Sequence, residues 1–192
     1  MKQTLTVALF LIFAVLGGHA LEVVPELDAT AYVGRWYQVY TNYWADLFSN
    51  VMEPDCVTAD YAQINATFLS VYNANYRFDE KYTDDISGYA YIPDLSTPGK
   101  LKVVLEGVPV EGDYWIFELG PKINGQYQYS LVTDGEKARQ LFVLARNPSQ
   151  FALLYEKQVL NSVANAGFRG PLKRPYAVPH PDECVYPPTA SL

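Results

Sequence analysis

Between positions 34 and 146 the chain is interrupted at short intervals by residues that turn the backbone. The breaks are Asp94-Leu95-Ser96-Thr97-Pro98-Gly99, Gly107-Val108-Pro109, Gly120-Pro121, Asn124-Gly125 and Asp134-Gly135. Gly, Pro, Asn and Asp dominate turns because each presets or tolerates a backbone angle that other residues resist. Asn124-Gly125 is a tight-hairpin signal. The segments between the breaks are short, and several alternate in polarity. They read as eight strands over 34–41, 56–64, 67–76, 85–92, 101–106, 113–119, 126–133 and 140–145. Tyr contributes 16 residues, and aromatic side chains suit a pleated, half-buried surface. Eight closely spaced antiparallel strands imply an all-β fold. An up-and-down barrel fits, and a sandwich would show much the same pattern.

Past the last strand the period changes. Phe151, Leu154, Tyr155, Val159 and Val163 fall near helical spacing over 148–166. Asn147 is placed to cap this helix, Pro148 suits its first position, and Gly167 can end it. A lone helix with one apolar face packs on the outside of the sheet. The segment 167–192 is rich in Pro and reads as a stiff, extended tail. The connection 42–55 is long and carries Trp44, Leu47 and Phe48.

Residues 1–20 read as a signal peptide, with Lys2 ahead of an apolar run and Gly18-His19-Ala20 at the cleavage site. No Cys follows this leader, so a bacterial-type lipid anchor has no attachment point there. Residues 21–192 then read as one exported domain. Export places Cys56 and Cys184 in an oxidising compartment, where an even count favours a disulfide. The rival is a reactive thiol at Cys56. The net charge of −7 argues against nucleic acid and anionic membranes, which attract basic patches.

The run Gly34-Arg35-Trp36-Tyr37, followed by Thr133-Asp134 at a strand end and Arg146 after the last strand, resembles the motif set of the lipocalins. Cys56-Val57-Thr58-Ala59-Asp60-Tyr61, Asp113-Tyr114-Trp115-Ile116 and Leu144-Ala145-Arg146-Asn147-Pro148 are most similar to the apolipoprotein D and bacterial lipocalin branch. The resemblance implies an eight-stranded calyx. Gly34, Trp36, Thr133, Asp134 and Arg146 are then scaffold, with Arg146 lying as a cation–π lid over a Trp36 plug. It also implies that Cys56 pairs with Cys184. Gly135 replaces the aromatic residue usual after Thr-Asp.

The function that this resemblance implies is carriage or sequestration of a small hydrophobic molecule: a fatty acid, lysophospholipid, steroid, retinoid or bilin. Counting inward from Trp36 and matching the family, the lining is expected to include Val57, Ala59, Tyr61, Val71, Asn73, Tyr114, Ile116, Phe142 and Leu144. A one-residue slip would invert any strand's set. Small Ala59 and Gly88 would leave room. Trp44, Leu47 and Phe48 either gate the cup, touch a membrane or protein weakly, or pack down on the rim. The alternative function is a filled barrel that binds no small molecule. Thiol isomerase chemistry at Cys56 is a remote third reading. After leader removal His180 is the one histidine left, which disfavours His-based catalysis and zinc. No cofactor or metal is expected. Asp79-Glu80 and Asp84-Asp85 read as solvated turn charges, with Ca²⁺ an outside case. Asn65-Ala66-Thr67 is a glycosylation sequon between strands two and three. The chain is expected to be a monomer or weak homo-oligomer.

Overall fold

The last strand of the sheet pairs with the first, which closes it on itself. The computed structural model describes residues 21–49, 52–78 and 81–189. The leader and the Asp79-Glu80 pair lie outside these residues. The elements are α1 (Ala29–Tyr32), β1 (Gly34–Thr41), α2 (Tyr43–Ser49), β2 (Thr58–Gln63), β3 (Phe68–Arg77), β4 (Tyr82–Tyr91), β5 (Lys100–Leu105) and β6 (Gly112–Leu119). They continue with β7 (Lys122–Ile123), β8 (Gln126–Tyr127), β9 (Tyr129–Thr133), β10 (Leu141–Ala145), α3 (Pro148–Leu154), α4 (Glu156–Asn165) and β11 (Tyr176–Ala177). Strands β1 to β6, β9 and β10 form an antiparallel barrel, closed where Tyr37 faces Ala145 and Gln38 faces Leu144. The architecture is the barrel and not the sandwich.

Each strand turns alternate side chains inward and outward, so the barrel has two apolar surfaces. The inner cluster is built on Trp36, Tyr61, Val71, Leu101, Ile116, Val132 and Leu144. The outer cluster is built on Leu131, Val143 and Ala145, beneath Phe151, Val159 and Val163 of the helices. Register shifts in β1 and β6 let this pattern change phase. Val39 and Tyr40 are consecutive, yet both belong to the outer cluster.

Several sequence expectations need adjustment. The helix over 148–166 is interrupted at Tyr155, giving α3 and α4, and Leu154 is exposed, not packed. Asn147 does cap α3, accepting the Gln150 N–H. The strand over 126–133 divides. Its first residues pair with β7 around Asn124-Gly125, both of which have positive φ, and only the remainder joins the barrel. The connection 42–55 contains α2. Strand two begins at Thr58, not Cys56.

That late start leaves the far half of β1 without β2 beside it, and the tail fills the gap. β11 pairs with Tyr40 and Thr41, and the Val178 N–H donates to the Val39 carbonyl at 2.9 Å. The Cys56–Cys184 disulfide, with Cα atoms 5.6 Å apart, fastens the tail here. His180 Nε2 lies 2.9 Å from the Gln38 carbonyl, and its Nδ1 lies 2.8 Å from the Tyr186 hydroxyl. Burial lowers the proton affinity of His180, against the opposing pull of the Gln38 carbonyl and Asp55.

Two outcomes follow from this docking. Replacing Cys56 and Cys184 by Ala releases a loop of 128 residues and should cost about 4–5 kcal/mol in urea unfolding. The unfolded chain protonates His180 near pH 6.5 and the folded chain only at lower pH. Stability present above that pH is therefore lost as the pH falls through it. Melting temperatures at pH 7.5 and 5.5 should differ more for the natural protein than for His180→Gln.

Candidate binding site in the barrel

The closed end is built around one side chain. α1 is a single turn, so its last carbonyls have no partner within the helix. Arg146 supplies the donors. Its Nη2 reaches the carbonyls of Ala31, Tyr32 and Val33 at 2.9–3.1 Å. Nη1 reaches Arg35 at 2.8 Å and Nε reaches Tyr127 at 3.2 Å. The guanidinium lies 3.6 Å from the centre of the Trp36 ring, which is fully buried. Trp36 Nε1 donates to the Tyr32 carbonyl at 2.8 Å. Burial holds the Arg146 pKa down to about 10, still far above neutrality, so the group remains charged.

Above this floor the wall carries a chain of hydroxyls. The Tyr61 hydroxyl donates to the Tyr114 oxygen at 3.0 Å. Tyr114 lies 2.7 Å from the Tyr32 hydroxyl, which lies 3.1 Å from Ser130 Oγ. Burial pushes Tyr32 up to about 12, and raises Tyr61 and Tyr114 further. All three are neutral phenols under ordinary conditions. Tyr32, Tyr61 and Ser130 are buried, whereas Tyr114 is half-buried although its strand turns it inward. Phe142, Val103 and Leu105 share that property. These four inward side chains keep open surface beside the buried floor.

The chain matches the lipocalin-like domain family over residues 27–175. This protein is a lipocalin. Its sequence is 31% identical over 131 residues to the outer membrane lipoprotein Blc of Vibrio cholerae, covering 68% of this chain and 71% of that protein. It is 27% identical over 161 residues to temperature-induced lipocalin-1 of Arabidopsis thaliana, covering 77% of each. Among solved structures, its fold is similar to the tryptamine complex of the amine-binding protein of Rhodnius prolixus. The TM-score is 0.55 at 15% identity, over 83% of this chain and 84% of that one.

The lipocalin barrel brings most of the expected lining together. Ala59, Tyr61, Val71, Tyr114, Ile116, Phe142 and Leu144 all belong to, or pack on, the inner cluster. Asn73 stands opposite Ala59 on the same face. Val57 precedes β2, half-buried, with its carbonyl accepting the Gln38 N–H. Gly88 does not leave room. A Cβ there would lie 2.0 Å from the Val104 carbonyl, so the missing side chain serves the close approach of β5. Among the residues that sequence reasoning missed are Tyr32, Ser130 and the buried Gln38. Tyr32 sits one turn before Trp36, but nothing in that spacing reveals its partners.

At the other end, Thr133 and Asp134 shape the β9–β10 turn. Thr133 Oγ1 donates to the Gln140 carbonyl, and Asp134 accepts the N–H groups of Arg139 and Gln140. Gly135 has φ of 90°, and a Cβ there would meet Asp113 at 2.7 Å, which explains why no aromatic residue occupies this position. Asn42 ties α2 to this turn and to the tail. It donates to Arg139 and Lys173 carbonyls and accepts from Ala45 and Leu141. Asp46 of α2 accepts from Tyr176. The rim residues split between the expected alternatives. Trp44 is half-buried near Arg139, while Leu47 and Phe48 are exposed.

Arg146→Lys keeps the charge but cannot fork to five carbonyls. It should lower stability by about 2–4 kcal/mol, read from urea unfolding followed by tryptophan fluorescence.

Proposed function

We propose that this lipocalin is an exported carrier that holds one small hydrophobic molecule inside its barrel. The observation that carries the reading is the open surface of inward-facing Tyr114, Phe142, Val103 and Leu105 above a sealed floor. Burying a ligand against such walls is worth about 25 cal/mol per Å² of apolar area. An eight-stranded barrel has room for a ligand of that size.

The charge pattern narrows the ligand class. Among the described residues the fully buried acids are Asp46 and Asp60, and neither offers a free carboxylate to the lumen. Asp60 faces outward in a 2.6 Å bridge with Arg35, and Asp46 holds Tyr176. The amine-binding protein of Rhodnius shares this fold, but the one acid that strand parity puts on the inner face of β4 is half-buried Asp84, opposite Asn75 at the rim end, away from the apolar walls below. A neutral or amphipathic apolar molecule suits the walls better. Fatty acids, lysophospholipids, steroids, retinoids and bilins remain the ligand classes to test.

The reading is of binding and not of catalysis. Both cysteines of the chain are consumed in one disulfide, which leaves the thiol-isomerase route without a nucleophile. Among the described residues no cluster of His, Cys, Asp and Glu could hold a metal ion. The exposed Asn65 in the β2–β3 turn is available for glycosylation if the chain passes through a eukaryotic secretory pathway.

Native mass spectrometry of protein purified from its own source, followed by organic extraction, tests the proposal. The expected result is one apolar molecule per chain. A ligand-free mass, with no uptake of fatty acids, steroids or tetrapyrroles on titration, would replace the carrier with a filled barrel.

A further inference from the structure

The hydroxyl chain at the bottom of the lumen has more donors than it uses. Tyr61, Tyr114, Tyr32 and Ser130 bring four hydroxyl protons to three hydrogen bonds. One proton is therefore left over. Tyr61 donates to Tyr114, and the other two bonds are free to run either way. If Ser130 donates to Tyr32 and Tyr32 to Tyr114, every fully buried donor is satisfied. The spare proton then sits on Tyr114, the one half-buried residue of the four. The opposite direction would strand the proton on Ser130, which has no exposure. Buried donors without partners are costly, so the first arrangement is favoured whenever an acceptor reaches Tyr114.

The surroundings limit what that acceptor can be. Arg146, the cation beneath the floor, directs all three of its guanidinium nitrogens at backbone carbonyls, five in all. A carboxylate brought here would lose its hydration and gain one hydroxyl in return, a poor exchange in an apolar enclosure. An uncharged oxygen needs only one donor.

Resting on the carrier reading above, we infer that the Tyr114 hydroxyl is a hydrogen-bond anchor for an uncharged carbonyl oxygen, so that the ligand sits oxygen-first with its apolar body toward the rim. Tyr61 and Tyr32 act by donating to Tyr114 and aiming its O–H into the lumen. Ligands of this class are long-chain or polycyclic ketones, aldehydes and esters.

The test compares 2-hexadecanone, hexadecane and palmitate as probes at pH 8, on the natural protein, Tyr114→Phe and Tyr61→Phe. The natural protein should bind the ketone about 5- to 10-fold more tightly than hexadecane, the worth of one neutral hydrogen bond with its donor otherwise unpaired. Palmitate should bind more weakly than the ketone. Tyr114→Phe should erase the preference for the ketone over hexadecane, and Tyr61→Phe, which leaves Tyr32 as the remaining donor to Tyr114, should weaken that preference without erasing it. The infrared carbonyl band of ¹³C-labelled ketone should shift to lower frequency on the natural protein and return on Tyr114→Phe.

Equal affinity for ketone and hexadecane, a preference for palmitate, or a ketone preference that survives Tyr114→Phe would overturn the inference and leave the carrier reading standing. If no probe binds, hexadecane included, both fail together. Should Tyr114→Phe not fold, the natural protein decides. A ketone preference with a shifted band supports the anchor, and the absence of either overturns it.

Discussion

The contact on which the rest of the barrel depends is the Arg146 guanidinium at its closed end. One side chain joins the carbonyls of α1, the first turn of β1 and the end of β8, and covers the Trp36 ring at 3.6 Å. These carbonyls come from both sides of the point where the barrel closes. The charge is half-buried, and each of its three nitrogens has a carbonyl partner, so its desolvation is offset by charge-assisted hydrogen bonds. A sealed floor converts a barrel into a cup. It also places Tyr32, carried by α1, where its hydroxyl meets Tyr114 and Ser130 from below.

The two faces of the wall have different tasks. Outside, Phe151, Val159 and Val163 cover Leu131, Val143 and Ala145, so this part of the sheet is packed as a core. Inside, packing is complete only near the floor. Higher up, Phe142 and Tyr114 are only half-buried. The open end is braced from the other direction. Asn42 and Asp46 tie α2 to the β9–β10 turn and the tail, and the disulfide holds the tail against β1. Rigid walls with an open interior are what a binding cup requires, because a ligand then gains from burial without having to order its site.

Some of this was legible in the chain because the signal is local. Period-two alternation counted from Trp36, together with the lipocalin resemblance, puts Ala59, Tyr61, Tyr114, Ile116, Phe142 and Leu144 on the inward parity of β2, β6 and β10, and all six belong to or pack on the inner cluster. Asn147-Pro148 announced the start of α3 through its own chemistry. Other features leave no local trace. α2 is a short helix held by contacts to distant segments, and its own residues give little periodic signal. Gly88 read as empty space, but the neighbouring strand takes that space, and no single-strand pattern reports a neighbour's approach.

The sequence by itself determined the strand pattern, the caps, the family motifs and the two cysteines, because these follow from backbone preferences and from residue chemistry at fixed spacing. The tertiary structure alone decided which side chains meet. Tyr32, Tyr61, Tyr114 and Ser130 come from four separate segments, and only barrel closure sets their oxygens 2.7–3.1 Å apart. It likewise decided that the tail completes the edge of β1 where β2 starts late. Hydrogen bonds act over a few ångströms. Whether distant residues come that close depends on register and closure, which no local pattern contains.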